Sequence, residues 1–150
     1  MSAPVLSARV RVRYDGGCHA QGSGPSFPVG EPLGIGADRT APSSLDLALA
    51  ALASELLNLL YSLCQRSGLA LDSLELSLTA TLDNPLVALG VVGESGCTTL
   101  ATIHGVCHVV CLEEEAMCAL PVLWEQACAR AVLLNSLRRG CPVSIRLNLL

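Results

Sequence analysis

Four possible metal ligands fall within eight positions of this 150-residue chain: His104, Cys107, His108 and Cys111. Two imidazoles and two thiolates are a donor set that a tetrahedral zinc site uses. Whether they can meet depends on the backbone that carries them. The surrounding A-T-I-H-G-V-C-H-V-V-C is rich in β-branched residues and reads as a strand. There a period of two sends the histidines to one face and the cysteines to the other. Only a bulge at Gly105 would rescue joint ligation. We therefore expect incidental sulfur in a strand and no metal or other cofactor, with a structural metal site as the lesser alternative.

Cysteine is abundant, at positions 18, 64, 97, 107, 111, 118, 128 and 141, yet no C-x-x-C pair occurs. Neither a thioredoxin-type redox pair nor a zinc ribbon is encoded. The opening residues M-S-A-P-V-L-S-A-R-V-R-V-R-Y contain no apolar leader, so we expect a cytoplasmic protein with reduced thiols that behave as small hydrophobes. The other residue with chemical potential is Glu55, a lone carboxylate inside a long apolar stretch. Such a group must be paired, hydrogen-bonded or neutral.

The element that positions Glu55 is the stretch from Ala41 to Gln65, which reads as a single long helix. Ser43 and Ser44 offer capping hydroxyls, Asp46 puts a carboxylate in the first turn, and Gly68 stops the helix. Leu49, Leu52, Leu56, Leu57, Leu59, Leu60 and Leu63 suggest a helix apolar all round, to be buried between two copies of the chain. Its length also suits a membrane span, but Asp46, Glu55 and Asn58 and the lack of flanking basic residues argue against one.

Composition predicts one soluble domain: 51% hydrophobic residues, a net charge of -4, and nine basic residues, all arginine. An acidic chain with no basic cluster in its sequence is a poor nucleic-acid ligand. In chain order, Arg9 to Tyr14 alternates as a strand with the arginines outward, and Asp15-Gly16-Gly17 is a hairpin turn into a second strand. The Gly- and Pro-rich stretch from Gly22 to Gly36 suits strand edges and loops. Leu74 to Leu82 alternates as a half-buried strand broken by Asp83-Asn84-Pro85. Val87 to Val92 and Thr98 to Val110 read as a hairpin. Glu113-Glu114-Glu115 opens a helical segment, Pro121 begins a second helix reaching about Asn135, and Val143 to Leu149 is a final strand. The order is α+β, without the regular alternation or the glycine-rich loop of a nucleotide-binding sheet.

Four phrases carry a family resemblance. They are Tyr14-Asp15-Gly16-Gly17; Pro42 before L-D-L-A-L-A-A-L-A-S; the strand Leu74 to Asp83 after Gly68-Leu69; and the final A-V-L-L-N-S-L-R-R-G-C-P-V-S-I-R-L. In order and spacing they resemble the OsmC/Ohr family of osmotically inducible and organic-hydroperoxide-resistance proteins. The resemblance implies an intertwined α+β homodimer whose long central helices lie between sheets. It also implies a peroxidase site made of two cysteines and an assisting arginine. The first thiol attacks the peroxide to give a sulfenic acid and the second resolves it to a disulfide.

Here the first cysteine position, after A-L-A-S, is Glu55. The second is Ala131, with Val132 where proline is usual, and Cys18 loosely matches the arginine after Gly-Gly. The resemblance thus implies an OsmC-like protein without thiol-peroxidase activity. Its vestigial pocket, with Glu55, Arg39 and Cys18 as binding candidates, remains open to a small molecule. The enzymatic alternative is a hydroperoxide reductase using relocated thiols, Cys128 with Cys18.

Overall fold

The computed structural model describes residues 6–12 and 18–150, so the turn expected at Tyr14 to Gly17 lies outside the described residues. The central helix, α1, runs Ser44–Arg66. Ser43 Oγ accepts from the Asp46 amide at 3.2 Å, while the Asp46 carboxylate accepts the Ser43 N–H at 2.9 Å and its hydroxyl at 2.7 Å. This reciprocal cap satisfies donors that no helix can satisfy internally. Ser67 ends the helix, and Gly68 follows at φ +70°, a left-handed conformation that glycine adopts without strain.

Within one chain, α1 is not buried all round. Its buried residues are Leu52, Leu56, Leu60, Leu63 and Cys64. At 3.6 residues per turn the leucines expected to cover the circumference fall within about 160° of it. Ala50, Ala51, Ser54, Asn58 and Tyr61 are exposed on the other side. The helix therefore has a face of small and hydrogen-bonding residues, a correction to the expectation of none.

After Gly68 come β4 (Ser73–Leu82), a short α2 (Pro85–Ala88), β5 (Leu100–Val110), α3 (Glu114–Arg130), α4 (Val132–Leu137) and β6 (Val143–Leu149). Strands β4 and β5 are antiparallel, with Leu76 opposite Cys107, whereas β6 runs parallel to β5, with Leu147 opposite Cys107. Residues alternate along all three, so one face of this mixed sheet presents Leu76, Leu78, Ile103, Cys107 and Val109 to α1 and α3. The other face is polar. Helix α3 adds Leu120, Leu123, Trp124 and Ala127 to the core.

Two local expectations are corrected. Val87 to Val92 forms no strand: Pro85 starts α2 at its first turn, Gly90 and Gly93 have positive φ, and Val92 is 99% exposed. Pro121 does not begin a helix but sits inside α3, and the break comes at Ala131, whose ψ of 109° is extended. Pro121 is on the exposed side of α3, where the carbonyl that loses its partner can turn to water.

The chain before α1 forms a separate antiparallel sheet, β1 (Arg9–Val12), β2 (Cys18–Gln21) and β3 (Phe27–Val29) in that order. Its strands make their main contacts with one another. A bond from Gly30 N–H to the Pro42 carbonyl, 2.8 Å, fastens its exit to the start of α1. The described residues thus form two three-stranded sheets and four helices, an α+β protein.

Candidate functional site

Helix α1 points Glu55 at the junction of α3 and α4. Its Oε1 accepts the Val132 N–H at 2.8 Å and its Oε2 the Leu133 N–H at 2.9 Å. The arrangement follows from the break at Ala131. A helix restarting at Val132 has unpaired amides in its first turn, and α4 has no capping side chain of its own. A carboxylate that takes two such N–H groups supplies both the hydrogen bonds and the negative charge that the helix start favours. On the acceptor side of the junction, Asn135 Nδ2 donates to the Cys128 carbonyl at 3.2 Å and to the Ala129 carbonyl at 3.1 Å. Glu55 and Asn135 together stitch the kink from both sides.

Ala131 is wholly buried between these contacts. Glu55 and Val132 are 77 positions apart in sequence, so the fold brings the two positions assigned to the family's cysteines to one place. Glu55 is half-buried and its partners are backbone amides of its own chain rather than an arginine. Arg39 instead lies at the other end of the helix, lining a depression with Ser43 and Asp46. Asp46 precedes Glu55 by nine residues, a rise of about 14 Å. The Ser43 hydrogen bonds, with a smaller contribution from the Arg39 charge, hold the Asp46 carboxyl below its ordinary range.

All eight cysteines are free. Cys128 is half-buried in the last turn of α3; burial pushes its thiol up, and the Arg138 guanidinium opposes that only in part. Cys107, wholly buried on β5, is pushed up to about 11 by burial and then by the neighbouring Cys128. Cys64, on the side of α1 opposite Glu55, is also buried and raised, first by burial and then by Cys111. Thiols of this kind stay protonated at neutral pH and are poor nucleophiles. Cys18 sits in the first sheet opposite Val29.

The His/Cys run behaves as strand alternation demands. Pairing of β4 with β5 keeps register from Ser73 to Thr81, so there is no bulge at Gly105. A Cβ at Gly105 would meet the Ser77 carbonyl oxygen at 2.7 Å and the Leu78 side chain. His104 is exposed on the polar face and Cys107 buried on the other. His108 Nδ1 lies 2.9 Å from Asn148 Nδ2. Cys111 Sγ donates to the Ala70 and Glu113 carbonyls at 3.5 and 3.6 Å. The four cannot share one ion, and among the described residues no group of three His, Cys, Asp or Glu side chains is placed to hold a metal.

Sequence reasoning missed the partners of Glu55 because backbone amides carry no residue-type signal. Asn135 was a readable clue, since an asparagine just past a helix break is a common partner for backbone carbonyls.

No protein-family model and no curated protein matches the sequence. Solved structures match the fold over nearly its whole length. An OsmC-like protein from Mycoplasma pneumoniae superposes with a TM-score of 0.77 at 12% identity, covering 99% of both chains. An OsmC-like protein of unknown function from Vibrio cholerae gives 0.72 at 12% identity, covering 99% of this chain and 100% of that one. The organic hydroperoxide resistance protein OsmC from Legionella pneumophila gives 0.66 at 13% identity, covering 99% of both. The fold of this chain is that of the OsmC and organic-hydroperoxide-resistance proteins.

Proposed function

We propose that this chain is a cytoplasmic, homodimeric OsmC-like protein without thiol-peroxidase activity, in which a structural carboxylate stands where the reactive thiol is expected. The observation that carries this reading is the pair of bonds from Glu55 to the amides of Val132 and Leu133. They support the assignment of positions 55 and 131, because a two-thiol mechanism requires its cysteines to be adjacent. Neither a carboxylate nor the Ala131 methyl can form a sulfenic acid or a disulfide. The relocated-thiol alternative is weakened by the upward shift of Cys128 on α3 and by the position of Cys18 on a strand of the first sheet. The peroxide resistance named for the Legionella protein would reach this chain only by a route other than thiol turnover.

The dimer is supported by what one chain leaves uncovered. Only 28% of the most apolar stretch of α1 is buried, and Val10 and Phe27 on the apolar face of the first sheet are 60% and 43% exposed. A second reading keeps a small-molecule pocket at Glu55. Each carboxylate oxygen retains acceptor capacity beyond its one amide bond.

A dithiol-dependent assay with an organic hydroperoxide tests the main reading. Turnover at background is expected; robust turnover that disappears in Cys128→Ser would overturn it. Light scattering of the purified protein should report a dimer, and a stable monomer would remove the basis for covering these faces with a second copy.

A further inference from the structure

The first sheet has two unlike faces. Strand alternation puts Val10, Ala20 and Phe27 on one and Arg9, Arg11, His19 and Gln21 on the other. In register, Arg9 stands opposite Gln21 and Arg11 opposite His19, so each arginine has a hydrogen-bonding neighbour about 5 Å across the sheet. The two arginines are themselves about 7 Å apart along β1. With Ser26 these four side chains line one depression of about 340 Å³, and among the described residues no carboxylate lines it. The polar face of the second sheet differs: there Glu75 stands opposite His108, sharing the face with Arg146.

We propose that the polar face of the first sheet binds a compact polyanion of the oligophosphate class. Two guanidinium forks can each engage a phosphate group bidentately, while Gln21, Ser26 and His19 supply further hydrogen bonds at the rim. The size of the depression suits a small molecule. A long polyanion is disfavoured because the chain as a whole carries a net charge of -4 and would repel the segments beyond the site. If a second copy covers the apolar face of this sheet, the basic face is left to solvent.

The experiment is calorimetric titration of the full-length protein with tripolyphosphate in a phosphate-free, low-salt buffer. Saturable binding that weakens as salt is added is expected. Arg9→Gln/Arg11→Gln should weaken it about tenfold for each arginine lost, the scale of a charged hydrogen bond, whereas Arg39→Gln should not. Arg9→Lys/Arg11→Lys keeps the charge and loses the fork, so intermediate affinity is expected even if the glutamine variant folds poorly. No binding by the wild type, or wild-type affinity in both double variants, overturns the proposal. Tighter binding of a single-stranded RNA oligomer than of tripolyphosphate would also overturn it, in favour of a nucleic-acid surface.

Discussion

Among the described residues there are two sheets of three strands each, and only the second is packed against helices. In the second sheet, one face is covered by α1 and α3, and Ile103, Cys107 and Val109 have no exposed surface. In the first, strands of three and four residues touch chiefly each other, and Val10 and Phe27 on the apolar face are exposed. A three-stranded sheet without a packed face is marginal in water. The contrast teaches where stability resides: the second sheet is held by helices of its own chain, and the strands of the first are held chiefly by one another.

Substitutions that touch only the intrachain core should act alike at every protein concentration. The largest effect is expected for Leu56→Ala, which opens a cavity under α1 and should cost about 2–5 kcal/mol in chemical denaturation. Glu55→Gln comes next. It removes the charge and one of two acceptors from the α4 amides, and should lower stability by about 1–2 kcal/mol with no dependence on concentration. A loss that grows on dilution would instead place Glu55 in contact with a second copy. Ser43→Ala, which removes half of the reciprocal cap at the start of α1, should cost about 1 kcal/mol.

The smallest effect is electrostatic. The Asp46 carboxyl is held below its ordinary range by Ser43, so its contribution is present above that range and fades as pH falls through the lowered value. Asp46→Asn should therefore flatten the acid limb of the stability curve and leave the neutral region offset only by the weakened cap. An unchanged acid limb would show that other carboxylates dominate it. Asp83, similarly lowered by the Thr99 amide and hydroxyl, is the first to examine.

Much of the fold was legible because it is local. The Ser43–Asp46 cap, the stop at Gly68, the alternation from Leu74 to Leu82 and the split of His104 from Cys107 depend on residues a few positions apart, where propensity and period speak directly. Errors arose where two signals competed. Val87 to Val92 has strand composition, but Pro85 and two positive-φ glycines turn it elsewhere. Pro121 looked like a helix start, yet Leu120, Leu123, Trp124 and Ala127 bury along one continuous α3, and that burial outweighs one missing hydrogen bond.

By itself the sequence determined that Glu55 would need a partner, because an ionised group on an apolar helix must be satisfied whatever surrounds it. Only the tertiary structure decided what that partner is. The amides of Val132 and Leu133 become available because the chain breaks at Ala131, and they meet Glu55 because α1 packs against α3 and α4 across 77 positions of sequence. A backbone N–H looks the same at every residue, so no pattern of side chains could have announced it.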